Sequence, residues 1–99
     1  MSYKLRYTEA AREDLKRLFT FLAEQDQRAA QHARKAIADS IKLMQEFPFT
    51  CRKAIPENPL LREMVISFGA AGYVALFEIE DNNTVTILAV RHQREDDYH

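Results

Sequence analysis

The sequence predicts an α+β domain in which a helical hairpin packs on a twisted, mainly antiparallel four-stranded sheet. Two helical apolar patterns follow each other early in the chain, separated only by a short polar break. Three runs of strand character then fill the last third, and a short alternating run precedes the helices. The predicted order is therefore β-α-α-β-β-β. A length of 99 residues suits one domain, which we assign to residues 1–99.

The first strand and the first helix are predicted from two different periodicities. The strand shows an alternation of apolar and basic residues, namely Tyr3, Leu5 and Tyr7 against Lys4 and Arg6. Thr8 follows and is a favourable N-cap for the helix. Three acidic residues near the helix start suit its positive end: Glu9, Glu13 and Asp14. The apolar stripe extends to about Ala23 and contains Ala11, Leu15, Leu18, Phe19 and Leu22.

A second helix is predicted after the polar break, with Asp26 as its N-cap. Its apolar stripe contains Ala30, Ala33, Ile37, Ile41 and Met44. The helix is expected to end near Glu46, because Pro48 disfavours helical geometry at Phe47. Residues 47–59 show no clean period and contain three prolines, so they are predicted to form a loop that is long enough to be functional.

The last three strands are predicted over residues 61–68, 73–79 and 84–90. Glycines bracket the first connecting turn, and an Asp-Asn-Asn run at 81–83 forms the second. The second and third of these strands carry apolar residues on both faces, which predicts central positions with burial on both sides. The mixed run 61–68 suits an outer position, and the first strand of the chain is expected beside the last.

Composition and charge restrict the function class. The formal net charge is −1, but residues 1–53 carry 11 Lys/Arg and 7 Asp/Glu, whereas residues 54–99 carry 3 and 8. The first half therefore offers either a basic face to an acidic partner or an ordinary solvated helix surface. A protein that mainly binds nucleic-acid phosphates would be more basic overall. The lone Cys51 indicates a reduced thiol, and no apolar run resembles a signal peptide or a membrane span. We predict a cytoplasmic protein without membrane contact.

Titratable residues follow the last predicted strand directly and suggest a site. Arg62 begins one strand and Arg91 ends another, and we expect these two strand ends to lie at the same sheet edge. The tail places four further polar side chains near that edge, namely His92, Arg94, Tyr98 and His99. The long loop adds two cations, Arg52 and Lys53. Cleavage of a phosphodiester needs positive charge and proton-transfer groups, which these residues supply. Alternatively, the arginines pair with Glu63, Asp96 or Asp97 and merely close the sheet edge.

No cofactor or metal site is predicted. Two histidines and two aspartates lie close together near the end of the chain, but without the fixed spacing of a ligand set: His92, His99, Asp96 and Asp97. The sequence has no glycine-rich phosphate loop, no cysteine pair and no nucleophile elbow.

The order of these motifs resembles the RelE/ParE superfamily of bacterial toxins. The resemblance covers nearly the whole chain. Residues 7–15 look like the strand-to-helix entry of the family, and Phe47-Pro48 followed by Cys51-Arg52 looks like its post-hairpin turn, where a glycine before the arginine is commoner. Residues 61–63, 73–79 and 86–96 look like its last strands and closing motif.

The resemblance implies the toxin of a type II toxin–antitoxin, or plasmid-stabilisation, system that arrests growth until a cognate antitoxin neutralises it in a hetero-oligomer. RelE-like members cleave mRNA on the ribosome, and the matching residues here are Arg62, Arg91, His92 and Tyr98. ParE-like members instead poison DNA gyrase without a nuclease site. The absence of a positive excess favours the ParE-like alternative, in which the target or antitoxin surface comprises Lys53, Arg62, Arg91, His92, Arg94 and Tyr98.

Overall fold

A computed structural model describes residues 2–68 and 71–92, with the side chain of residue 71 left out. The elements are β1 (Lys4–Tyr7), α1 (Glu9–Gln25), α2 (Gln27–Glu46), a 3₁₀ turn (Pro48–Thr50), β2 (Arg52–Ile55), β3 (Asn58–Phe68), β4 (Ala71–Ile79) and β5 (Thr84–His92). The predicted α+β class and the helical hairpin are confirmed. The described chain has five strands, however, and not the four that the sequence predicts.

Both predicted helix caps are present. The hydroxyl oxygen of Thr8 accepts a hydrogen bond from the Ala11 amide at 3.0 Å, which satisfies one of the unpaired donors at the start of α1. The carboxylate of Asp26 accepts from the Arg28 amide at 2.9 Å, and its own amide donates to the Leu22 carbonyl at 2.7 Å. Asp26 therefore ends α1 and begins α2, which forces the tight reversal of the hairpin. None of the helices that the structure describes has an apolar stretch long enough for a membrane crossing.

The sheet has the strand order β1-β5-β4-β3-β2. β1 runs parallel to β5, and all other neighbours are antiparallel. The predicted pairing of the first strand with the last is confirmed, as are the central positions of β4 and β5. β3 is not an outer strand, because β2 covers part of its far edge.

β2 corrects the prediction of a loop over residues 47–59. This short strand pairs with β3 through Arg52 opposite Glu63 and Lys53 opposite Arg62, and ends with Ile55 opposite Asn58. An ion pair of 2.9 Å joins the Arg52 and Glu63 side chains at one end. Four residues with two leading cations show no apolar alternation, so this pairing was not visible as a period in the sequence.

The core lies between the helical hairpin and one face of the sheet. Its buried residues from α2 and the three central strands are Ala33, Ile37, Ile41, Met44, Met64, Ile66, Tyr73, Ala75, Phe77, Ile79, Val85, Ile87 and Val90. On the opposite face Val74 is buried, Leu76 and Ala89 are half-buried, and Val65 is exposed. The expected burial on both sides of the central strands is therefore wrong in part, since the helices that the structure describes cover a single face.

Candidate functional site

Arg62 and Arg91 do not converge, contrary to the expectation from the sequence. Arg62 lies opposite Phe77 of β4, whereas Arg91 lies opposite Val74, three residues earlier in β4. β3 and β5 run in the same direction, so the beginning of one and the end of the other lie at opposite ends of the sheet. The register gives a Cα separation on the order of 14 Å. The two side chains also leave from opposite faces, because Phe77 belongs to the core and Val74 alternates with it.

Arg91 is held by a buried carboxylate of α1. The Asp14 side chain is 5% exposed and accepts hydrogen bonds from the Val90 amide, at 3.0 Å, and from the Arg91 guanidinium. Arg17, one turn further along α1, lies 3.5 Å from the same carboxylate. A buried carboxylate is tolerated only when charges and hydrogen bonds compensate its lost hydration, and this arrangement supplies both.

Asp14 also completes the sheet beyond the end of β1. The ladder between β1 and β5 ends at Tyr7 opposite Ile87. Next, the Thr8 hydroxyl donates to the Leu88 carbonyl at 3.0 Å, and Asp14 accepts from Val90 as described above. Two side chains at the start of α1 thus replace the missing strand as hydrogen-bond partners of β5.

From the sequence, Asp14 is expected only to interact favourably with the helix dipole, and its contact with β5 is not predicted. A signal was available, because Asp14 lies between Ala11 and Leu18 on the buried side of α1. An ionisable residue in an apolar stripe needs a partner inside the fold.

Arg62 hydrogen-bonds to backbone carbonyls before and after β2. Its guanidinium donates to the carbonyls of Pro59 at 2.7 Å, Cys51 at 2.7 Å and Phe49 at 3.2 Å. The guanidinium carbon also lies 5.2 Å from the centroid of the Phe49 ring, within the range of a cation–π contact. Carbonyl oxygens carry no net charge, so these hydrogen bonds leave the positive charge of Arg62 without a compensating anion among these contacts.

The other predicted cations have different surroundings. Lys53 is exposed and lies directly across the ladder from Arg62, and within residues 2–68 and 71–92 no hydrogen bond or ion pair engages its amine. Arg52 is neutralised by Glu63. Arg94 and Tyr98, together with His99, Asp96 and Asp97, lie outside the described residues.

His92 ends β5 beside an aromatic pair. Its ring meets the Tyr73 ring edge-on, with centroids 5.6 Å apart, and Tyr73 in turn stacks on Phe68 at 5.9 Å. Burial raises the pKa of the Tyr73 phenol above its ordinary value of 10.0. The contacts give His92 a packing role, and its proposed contribution to target binding stays a prediction.

The raised pKa of Tyr73 predicts a specific sensitivity to alkali. The unfolded phenol ionises first, so the stability that comes from burying the neutral phenol is present below about pH 10 and is lost as the pH rises towards the folded pKa. We expect the urea midpoint of the wild type to fall more steeply between about pH 9 and 11 than that of Tyr73→Phe. Equal slopes for the two proteins would contradict this assignment.

Cys51 offers no activated nucleophile in this setting. Burial raises the pKa of its thiol, and the nearby Arg62 offsets this only in part. In the part of the chain that the structure describes, no three His, Cys, Asp or Glu side chains are grouped closely enough to hold a metal ion.

Comparisons with known proteins agree with the fold and with the resemblance. A solved structure described as the chromosomal ParDE TA system from P. aeruginosa superposes with a TM-score of 0.68 at 18% sequence identity, covering 92% of this chain and 96% of that chain. No curated protein is significantly similar in sequence. Residues 5–97 match the family described as the ParE toxin of the type II toxin–antitoxin system, parDE. The chain therefore belongs to the ParE toxin family of type II toxin–antitoxin systems.

Proposed function

We propose that this ParE-family protein inhibits DNA gyrase and is neutralised by a cognate antitoxin that binds it in the cytoplasm. The observation that carries the proposal is the match of residues 5–97 to ParE toxins, since gyrase is the target that the resemblance implies for the ParE-like branch. The protein would then act by occupying a surface of its target, without catalysing a reaction.

The surroundings of the cations support a protein target over a nucleic-acid substrate. Arg91 is neutralised by Asp14, and Arg52 by Glu63. A ribonuclease site requires several cations directed at one phosphate, and the register instead separates Arg62 from Arg91 by the width of two strands. The formal net charge of −1 also gives little electrostatic attraction to RNA.

The outer face of the helical hairpin is the surface that we assign to the antitoxin. Phe21 on α1 is 58% exposed and lies in an open groove with Lys16, Arg17 and Glu24, and Leu43 on α2 is also exposed. An amphipathic segment that places apolar residues over Phe21 would bury this surface in the manner of helix-in-groove recognition.

The proposal predicts that purified toxin blocks DNA supercoiling by gyrase or traps cleaved DNA. Premixing with the antitoxin encoded by the adjoining reading frame is expected to restore supercoiling. Normal supercoiling in the presence of excess folded toxin would reject gyrase as the target. A parallel incubation in a translating extract tests the ribosome alternative, for which mRNA cleavage would be the positive result and intact mRNA the negative one.

A further inference from the structure

The β2–β3 hairpin forms one edge of the sheet. Its outer strand β2 is the last in the strand order of the described sheet, so only β3 flanks it there. Pairing between β2 and β3 runs from Arg52 opposite Glu63 to Ile55 opposite Asn58.

The β2–β3 hairpin displays large apolar side chains. The exposed fractions are 52% for Phe49, 43% for Ile55 and 42% for Leu60. Residues that pair across a ladder share a face, and alternate residues on one strand do as well. Ile55, Leu60 and Lys53 therefore lie on the same side as Arg62, whose guanidinium contacts the Phe49 ring. We refer to Phe49, Lys53, Ile55, Leu60 and Arg62 as the hairpin patch.

The hairpin patch is ordered by polar contacts and not by burial of its own apolar side chains. The Arg62 guanidinium donates hydrogen bonds to three backbone carbonyls, two that precede β2 in the chain and one that follows it. The Asn58 side chain accepts from the Leu60 amide at 3.0 Å, and the Thr50 hydroxyl donates to the Phe47 carbonyl at 2.7 Å. A surface that is fixed before binding loses little conformational entropy in a complex.

Apolar exposure and charge together define the partner. The exposed apolar side chains favour an apolar surface on the other molecule, and the cations Lys53 and Arg62 favour an acidic rim around it. A second copy of this chain is less complementary, because its own hairpin patch presents cations and no acidic rim. Exposed apolar clusters bordered by polar groups are typical of protein–protein contact sites.

We propose that the hairpin patch is the surface that contacts the target enzyme, at an apolar site with an acidic rim on gyrase. This inference rests on the proposed function and adds the contacting residues to it. It also separates two surfaces, with the hairpin patch facing the target and the outer helical hairpin facing the antitoxin.

The test compares variants of the hairpin patch with a control on the opposite face of β3. Phe49→Ala combined with Leu60→Ala is expected to raise the toxin concentration for half-inhibition of supercoiling about tenfold or more, because exposed aromatic and aliphatic anchors dominate interface energies. Lys53→Glu is expected to act in the same direction through the acidic rim. Val65→Ala removes an exposed apolar side chain on the opposite face of β3 and is expected to leave inhibition unchanged. Phe21→Ala is expected to weaken antitoxin binding, measured by calorimetry.

The outcomes distinguish the two proposals. If the wild-type toxin and the patch variants inhibit gyrase equally, the hairpin patch is not the surface that contacts the target, and gyrase remains the target. Loss of antitoxin binding with full gyrase inhibition would reassign the patch to the antitoxin. Absence of inhibition by wild-type toxin would overturn both. If the double variant melts early, the exposed Lys53→Glu substitution decides, since no described contact depends on that amine.

Discussion

Asp14→Ala is expected to destabilise the protein by about 2–4 kcal/mol, because it leaves the Val90 amide and the Arg91 guanidinium without their carboxylate. The effect falls below that of a fully buried ion pair, since Arg91 keeps some contact with solvent. Urea unfolding followed by circular dichroism measures the change in the free energy of unfolding.

Two further substitutions isolate the role of Asp14. Glu13→Ala removes a neighbouring exposed carboxylate of α1 and is expected to change stability by less than about 0.5 kcal/mol. Asp14→Asn retains an acceptor for Val90 but loses the charge, so its stability is expected between those of Asp14→Ala and the wild type. If Asp14→Ala proved as stable as Glu13→Ala, the assigned role in closing the sheet would be wrong.

Phe77→Ala is expected to cost about 3–5 kcal/mol in the free energy of unfolding. Phe77 is 0% exposed and lies on the face of β4 that meets the helical hairpin. Truncation of its ring leaves a cavity that the rigid surroundings of a central strand cannot fill. For a domain of this size the loss approaches the total stability, so we expect a partly unfolded population at 37 °C.

The matched control for this cavity is Phe21→Ala, because Phe21 is 58% exposed on α1. The same chemical change at this surface position is expected to alter stability by less than about 0.5 kcal/mol. A similar loss of stability in both variants would indicate that Phe77 is not packed as described, and thermal unfolding of the two proteins side by side decides this.

The elements with local signals were predictable from the sequence. Thr8 and Asp26 act within two or three residues of their own positions, so the helix starts follow from the sequence alone. The placement of β1 beside β5 also followed, because the apolar residues on both faces of the last two strands required central positions.

The features that escaped prediction depend on pairing between distant residues. The register that places Arg62 opposite Phe77 and Arg91 opposite Val74 is fixed by a bulge in β5 and by the turn lengths, neither of which has a sequence period. The carbonyls that Arg62 contacts become visible only once β2 has paired. Similarly, the role of Asp14 depends on β1 ending before β5 does. Asp14 then contacts Val90, which lies 76 residues later in the chain.

The position of β5 has a consequence for how the protein is made. β5 lies between β1 and β4, so the strand that joins the two parts of the sheet is synthesised after all the other described strands. Until residues 84–92 have emerged, β1 lacks its neighbour, the Asp14 carboxylate lacks the Val90 amide, and the helical hairpin has only the β3–β4 meander to pack against. Pairing over such sequence distances is a slow step in folding. The sheet can therefore close only after residues 84–92 have been synthesised, and we expect this closure to be a late step in folding.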